Sequence, residues 1–438
     1  MGSIIVAALL ILLSSSLSLQ TKKMAYYRLR YATNNGRFQP CSMVEGIVYS
    51  HETPTAFPQN SGRLESLLKH DKLLQDEDSF FLDIWTPDSQ GVKPVLFWIH
   101  GGAFVSGASG DVHNNAEELA RNADMVVVSP SYRLGILGTS YFDGIPQQNC
   151  GFHDIITALE WTNKNISQFQ GDATNITIGG QSSGAWYAMA IHTSKKLQHL
   201  FRKTMLFSWP GAMKAISTEQ AEAIYGHFLK ELRKHTDESP INAPIDAILQ
   251  AQRVVGQYNH KKYKFDVPFL PSIEPDFVHS DFYNAVEDID KKIFLQYTKD
   301  ECGIYVCHKP IHRRTPLFIT SLFLKRYCPQ KTYKQLRSFR KKLHSTYHSV
   351  VAITSQYLFH NPAKHIAQKT PNAIVNEFDF PTPNNRTGCC HCFDLPFIFG
   401  NIDSWKNSNI FSGCNFYAMK QESLSLQAKI KVFCYDEK

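Results

Sequence analysis

The sequence predicts an α/β fold in which a mostly parallel central sheet carries helices on both of its faces. Strand-like apolar runs alternate with helical stretches along the chain, which is typical of parallel strands joined by crossover helices. With 438 residues and 43% hydrophobic content, the chain can bury a large core. No repeat and no Pro/Ser-rich linker divides it. We therefore expect a single domain over residues 19–438, with a helical insertion around residues 216–267.

The first residues predict a targeting segment. Residues 4–13 form an unbroken apolar run, and serines at positions 16 and 18 suit a small-residue cleavage rule. We expect a signal peptide over residues 1–18 and delivery to the endoplasmic-reticulum lumen or the exterior. No basic residue precedes the run, and Lys22 and Lys23 follow it, so an uncleaved signal anchor is the alternative. N-glycosylation sequons, expected in a glycoprotein, begin at Asn165, Asn175 and Asn385.

A glycine-rich turn follows the apolar strand predicted over residues 94–100. The turn reads Gly101-Gly102-Ala103-Phe104. Small side chains here let the backbone itself approach a substrate, as in the turns that donate N–H groups to an oxyanion. We assign the N–H groups of Gly102 and Ala103 to this role.

The most informative motif is Gly180-Gln181-Ser182-Ser183-Gly184. It follows a buried strand predicted at residues 176–178 and precedes a helix predicted over residues 185–191. A G-x-S-x-G sequence between strand and helix predicts a nucleophile elbow, a sharp turn that exposes the serine hydroxyl above the sheet. Ser182 is therefore the predicted nucleophile, and the N–H of Ser183 at the helix start is the third predicted oxyanion donor.

From about Gly46 to Phe433, the chain resembles the type-B carboxylesterase/cholinesterase family of the α/β-hydrolase fold. The matching segments occur in the family's order. They are residues 77–87 (EDSFFLDIWTP), 100–104 (HGGAF), 126–138 (VVVSPSYRLGILG), 158–161 (ALEW), 169–172 (FQGD), the elbow, 298–301 (TKDE) and 388–400 (GCCHCFDLPFIFG).

The resemblance implies the remaining catalytic residues. Glu301 matches the acid that orients the histidine, and His391 matches the general base. The order Ser182, Glu301, His391 is that of α/β-hydrolases. The expected activity is hydrolysis of carboxylic esters through an acyl-enzyme. A lipase of the same fold and a noncatalytic, cholinesterase-like adhesion protein are the alternatives.

Three features depart from the family. Gln181 stands before the nucleophile, where the family usually has Glu. Ser79 replaces a cysteine that closes a loop by a disulfide, and the stretch from Arg63 to Asp76 is shorter than usual. The last two departures together predict that one wall of the substrate gorge is missing.

The ten cysteines agree with an oxidising compartment. Cys302 and Cys307, at the acid loop, are the candidates for disulfides, which could join them to the histidine loop. The cluster of Cys389, Cys390 and Cys392 around His391 could suggest zinc, but its spacing suits no closed tetrahedral site.

A small-molecule ester is the expected partner. We expect no metal, no cofactor and no nucleic acid, and the sequence leaves the oligomeric state open. Residues 331–344 form a basic amphipathic helix, which could contact a membrane surface. We expect this helix to pack on the core with a solvated basic face.

Overall fold

The computed structural model describes residues 23–61, 63–69, 73–263, 269–312, 314–328 and 332–436. The predicted signal peptide at residues 1–18 lies outside these ranges.

A nine-stranded sheet organises the molecule, in the order β11-β10-β9-β8-β6-β7-β5-β1-β2. Its strands are β1 Met24–Thr33, β2 Ser42–Tyr49, β5 Phe81–Pro87, β6 Lys93–Ile99, β7 Val126–Pro130, β8 Gly171–Gln181, β9 Lys203–Phe207, β10 Ile293–Thr298 and β11 Ala373–Phe378. The short strands β3 Thr55–Ala56 and β4 Leu74–Gln75 pair separately.

Six strands, from β11 to β7 in the sheet order, pair in parallel. The pairs that join β7 to β5, β5 to β1 and β1 to β2 are antiparallel. The sheet is thus mostly parallel, as predicted. The carboxyl ends of the central parallel strands share one edge, where open α/β sheets place their sites.

The α-helices connect the strands and cover them. Their bounds are α1 Arg63–Leu68, α2 Glu117–Ala123, α3 Gly135–Thr139, α4 Cys150–Asn165, α5 Ser183–Thr193, α6 Thr218–Leu232, α7 Ile245–Tyr263, α8 Phe282–Ala285, α9 Gly303–Val306, α10 Leu317–Tyr327, α11 Thr332–Leu343, α12 Thr346–Ser355, α13 Asn361–Lys369, α14 Leu395–Phe399 and α15 Phe416–Tyr435. A π-helical turn, Gln356–His360, joins α12 to α13. No helix within the described ranges is long and apolar enough to cross a bilayer.

The two faces of the sheet bury separate apolar clusters. Val95 and Phe97 of β6 face the cluster that contains helices α4 and α5, whereas Leu96 and Trp98 face the cluster that contains α2, α14 and α15. This alternation is the two-residue period of a strand buried on both sides. Helices therefore lie on both faces of the sheet, which agrees with the predicted fold class.

Helices α6 and α7 occupy the segment for which a helical insertion is predicted, and they pack against each other. The division of the chain into domains stays a prediction.

Ser79 lies just before β5, after the stretch that the sequence predicts to be shortened. Ser79, fully buried, donates a hydrogen bond to the carbonyl of Asp76 at 2.9 Å, and its hydroxyl lies 2.8 Å from that of Thr55. Two hydroxyl contacts thus stand where the family has a disulfide.

Candidate active site

Ser182 sits on a strained turn between β8 and α5. Its φ of 57° and ψ of −121° are unfavourable for a residue with a side chain. The turn is held by two backbone hydrogen bonds, from Ser182 to the carbonyl of Phe207 and from Trp186 to the carbonyl of Ser182, both 3.0 Å. A side chain at Gly184 would come within 2.0 Å of the carbonyl oxygen of Ile99. The second glycine of the motif is therefore required by close packing against β6.

A continuous hydrogen-bonded chain links the three residues predicted to be catalytic. The Oγ of Ser182 lies 2.7 Å from Nε2 of His391, and Nδ1 of His391 lies 2.6 Å from Oε2 of Glu301. Glu301 follows β10, and His391 lies in the loop between β11 and α14. The structure thus brings together residues that lie up to 209 positions apart in the sequence.

The carboxylate of Glu301 fixes the proton positions of this chain. An ionised carboxylate only accepts hydrogen bonds, so Nδ1 of His391 carries the proton and Nε2 is left as the acceptor for the serine hydroxyl. The other oxygen of Glu301 accepts the N–H of Thr298 at 2.9 Å. Glu301 and His391 are fully buried, whereas Ser182 keeps partial exposure. Only the hydroxyl end of the chain is open to a substrate.

The glycine-rich turn after β6 lies beside the serine. Gly102, with a φ of 126°, accepts the N–H groups of Val105 and Ser106 at 3.0 Å each through its carbonyl oxygen, so this carbonyl is held within the turn. Ala103 also has a positive φ, 53°.

The three predicted oxyanion donors are backbone N–H groups at the ends of two turns. Ser183 is the first residue of α5, so its N–H has no intrahelical acceptor. Within the described ranges, the N–H groups of Gly102, Ala103 and Ser183 donate no hydrogen bond. They are available to bind an oxyanion.

His100, the last residue before this turn, is a structural residue. Its ring stacks on that of Tyr132 at 4.3 Å, and the hydroxyl of Tyr132 donates to the carbonyl of His100 at 2.7 Å. Burial lowers the pKa of His100 to about 4. The neutral imidazole donates from Nδ1 to the carbonyl of Gly101 at 2.8 Å. His100 thus fixes the start of the turn.

Sequence reasoning missed the aromatic residues around the base. The rings of Tyr305 in α9 and Phe359 in the π-helical turn lie 5.5 Å and 5.1 Å from that of His391. Tyr305 comes four residues after Glu301, so proximity in sequence could have suggested it. No pattern in the sequence marks Phe359.

The side chain of Gln181 also lies close to the imidazole of His391. Its amide Nε2 lies 3.4 Å from Nε2 of His391 and donates to the sulfur of Cys392 at 3.4 Å. A neutral amide therefore occupies the position where the family usually has a carboxylate.

Asp394 is a second acid near the base that the sequence did not single out. It is fully buried, and one carboxyl oxygen accepts the side-chain amide of Gln296 at 2.9 Å, while the other has no partner in the described structure. Desolvation by burial raises the pKa of Asp394 to about 7.

The predicted disulfides are absent. All ten cysteines lie in the described ranges and are free thiols. The thiol of Cys307 donates to the carbonyl of Ile304 at 3.2 Å, and that of Cys389 points to the carbonyl of Phe378 at 3.5 Å. These thiols face backbone acceptors instead of one another. Burial raises the pKa of Cys302, Cys389 and Cys390, which keeps them protonated.

A serine presented by a strand–helix elbow at the carboxyl edge of a mostly parallel sheet is the arrangement of the α/β-hydrolase fold, and this protein has that fold. Residues 15–423 match the family model described as "Carboxylesterase family". The chain belongs to this family and is a carboxylic ester hydrolase, as the sequence predicted.

Similar proteins agree with this assignment. The chain is 31% identical to a probable N-octanoylanthranilate hydrolase of Rhodococcus erythropolis, over 87% of this chain and 82% of that protein. It is 26% identical to the para-nitrobenzyl esterase of Bacillus subtilis, over 83% and 76% of the two chains. Among solved structures, a PNB esterase superposes with a TM-score of 0.76 at 23% identity, covering 94% of this chain and 87% of that one.

Proposed function

We propose that the protein hydrolyses neutral carboxylic esters through an acyl-enzyme formed on Ser182. The observation that carries this proposal is the chain from Ser182 through His391 to Glu301, with contacts of 2.7 Å and 2.6 Å. The same geometry gives each residue a task. Ser182 attacks the carbonyl carbon, His391 accepts the hydroxyl proton at Nε2, and Glu301 stabilises the resulting imidazolium.

The tetrahedral intermediate places a negative charge on the former carbonyl oxygen. The N–H groups of Gly102, Ala103 and Ser183 are the proposed donors to it. When the intermediate collapses, His391 returns the proton to the leaving alkoxide. A water molecule then attacks the acyl-enzyme by the same route, which releases the acid and restores Ser182.

The surroundings of His391 favour neutral substrates with an aromatic group. The leaving group receives its proton from His391, whose ring lies beside those of Tyr305 and Phe359. Phe359 is buried, so the partly exposed Tyr305 is the proposed aromatic contact. Gln181 adds no charge at this point. One relative is named a para-nitrobenzyl esterase, which supports an aromatic alcohol as the leaving group. Contact with an aromatic ring contributes about 0.5–1.5 kcal/mol, enough for a severalfold preference.

The activity is tested by steady-state hydrolysis of a benzyl ester by two neighbouring variants. Ser182→Ala should lose essentially all turnover because no other hydroxyl is bonded to His391 in the described structure. Ser183→Ala is the matched control, since only its backbone N–H is assigned a task, and it should stay close to wild type. Equal turnover in the two variants would contradict the proposal.

We also propose that the chain is exported and carries one glycan, at Asn385. The side chains of Asn165 and Asn175 are buried and donate to the carbonyls of Trp161 and Cys434. Asn385 is exposed. A protein secreted from eukaryotic cells should lose mass on treatment with a glycosidase. This shift should vanish in Asn385→Gln and persist in Ser167→Ala, which removes the sequon at Asn165. Secreted protein without any shift would contradict the glycan.

A further inference from the structure

Charge is unevenly distributed along this chain. Residues 302–376 contain 13 Lys and Arg residues and no Asp or Glu. The whole chain has 46 basic and 39 acidic residues, so the remainder carries 33 basic residues against 39 acidic ones. Residues 302–376 are thus a positively charged segment of 75 residues, while the rest of the chain carries a net negative charge.

This segment folds into helices that pack on one another at the surface. Helix α11 packs against both α10 and α12. Leu324 of α10 and Leu336 of α11 are fully buried in the same apolar cluster. Among the apolar residues of α11, Leu336 is buried, but Tyr333 and Leu343 are 49% and 38% exposed. Helix α11 thus packs on the core through Leu336 and Phe339, as expected, and leaves Tyr333 and Leu343 at the surface.

Helix α10 exposes large apolar side chains. Phe318, Ile319 and Leu322 are 68%, 58% and 53% exposed. Positions 318 and 322 lie one turn apart, so they share a side of the helix, and position 319 adjoins them. Clustered exposed apolar residues commonly mark an interaction surface.

Helix α11 supplies the charge beside them. Lys334, Arg337, Lys341 and Lys342 are exposed, and none forms an ion pair with another described residue. Lysines elsewhere differ: Lys195, Lys196 and Lys420 pair with Asp288, Asp276 and Asp403. The positive charge of α11 is therefore available to an external anion.

We propose that helices α10 and α11 form a docking face for membranes that contain anionic phospholipid. The basic residues would contact lipid phosphates, while Phe318, Ile319 and Leu322 enter the boundary between headgroups and acyl chains. A sulfated polysaccharide would satisfy the charges but would leave the apolar side chains in water. The exposed apolar residues thus favour a lipid surface.

The docking face is connected to the active site through the same helical layer. The N–H of Cys302, next to Glu301, donates to the hydroxyl of Ser355 in α12 at 2.9 Å, and α12 packs against α11. Docking would therefore bring the layer that holds Glu301 to the bilayer. No residue of the docking face belongs to the proposed catalytic machinery, so binding can be tested independently of turnover.

Cosedimentation with vesicles tests the charge requirement. The full-length protein should bind vesicles of equimolar phosphatidylcholine and phosphatidylserine, and should not bind phosphatidylcholine alone. Each basic residue near an anionic surface contributes about fivefold to partitioning, so Arg337→Gln/Lys341→Gln/Lys342→Gln should bind roughly 100-fold more weakly. The control Lys195→Gln/Lys196→Gln/Lys420→Gln has the same net charge and should bind within about threefold of wild type. Equal loss in the two triple variants would mean that only net charge matters, and would overturn the proposal.

Fluorescence quenching tests separately whether the apolar side chains of α10 enter the bilayer. All six tryptophans of the chain are buried, so Phe318→Trp introduces one exposed indole. Brominated phospholipids in the anionic vesicles should quench this fluorescence. A matched control is Tyr417→Trp, at a position on α15 that is 74% exposed; it should not be quenched. Binding to heparin without vesicle binding, or equal quenching at both positions, would overturn the lipid assignment. Hydrolysis of a water-soluble ester should be unchanged in all of these variants.

Discussion

Glu301 is the residue whose proposed role depends most on its charge. In Glu301→Gln the amide can donate to Nδ1 of His391, which would move the ring proton to Nε2 and prevent that atom from accepting the proton of Ser182. We expect kcat to fall about 10⁴-fold, with little change in fold. Steady-state kinetics of the folded variant measures this. The neighbouring Asp300→Asn is the control, since Asp300 contacts the backbone of Cys389 instead; a similar fall there would contradict the assignment.

Asp394 makes stability depend on pH in a predictable direction. Its pKa is raised from 3.8 to about 7 in the folded protein, so the native state binds this proton more tightly than the unfolded chain does. This proton stabilises the folded state fully below pH 4, and the stabilisation is lost as the pH rises to about 7. The corresponding change in the free energy of unfolding is on the order of 3–4 kcal/mol. Relative to wild type, Asp394→Asn should therefore gain Tm between pH 4 and pH 7 and then hold that gain.

Measuring the Tm of Asp394→Asn and of wild type across pH tests this prediction. The control is Asp403→Asn, for which we expect the opposite pH dependence. Lys406 and Lys420 lower the pKa of Asp403, so its stabilisation is present above the unfolded pKa and is lost in acid. The Asp403 variant should lose Tm relative to wild type above pH 4 and approach it at lower pH. A difference between Asp394→Asn and wild type that does not change with pH would show that Asp394 is not protonated in the native state.

Among the structural elements, the strands, the nucleophile elbow and the glycine-rich turn could be predicted, because each depends on a short contiguous stretch of sequence. The strand predicted at residues 94–100 is Lys93–Ile99, and the helix predicted over residues 185–191 lies within Ser183–Thr193. The disulfides could not be predicted, because thiol partners depend on where packing places α9 and the histidine loop. Phe359 could not be identified either, since it reaches His391 through the π-helical turn.

The geometry of the glycine-rich turn after β6 predicts the effect of a substitution at Gly102. A Cβ at Gly102 would lie 1.8 Å from the carbonyl oxygen of Ser106, and the φ of 126° adds strain. We expect Gly102→Ala to shift the turn, lower Tm and reduce kcat on the order of 10²–10³-fold. Turnover per titrated active site separates the catalytic loss from unfolding.

Gly91 offers the matched control for this change. It also has a positive φ, 94°, but a Cβ there would meet nothing within 4 Å. Gly91→Ala should therefore lose some stability and keep its turnover per active site. Full turnover in Gly102→Ala would remove this turn from the proposed oxyanion site.

For the whole molecule, the shortened stretch that the sequence predicts between Arg63 and Asp76 implies a broad and open substrate site. Ser79, which stands in place of the family's cysteine, contacts Thr55 and Asp76 through its hydroxyl, and the side chain of Gln181 beside His391 is uncharged. An open apolar pocket discriminates weakly, since even one enclosed methylene is worth only about 1–3 kcal/mol. A choline ester and its uncharged isostere should have similar kcat/KM values. A preference above about tenfold for the choline ester, roughly 1.4 kcal/mol, would reveal a cation site elsewhere.

The central claim is that Ser182 forms the covalent intermediate, and mapping that adduct tests it most directly. The protein is labelled with a fluorophosphonate, digested and analysed by mass spectrometry. We predict one adduct per molecule on the peptide that contains Ser182, and no adduct in Ser182→Ala. A modified residue elsewhere, or unchanged labelling of Ser182→Ala, would contradict the mechanism.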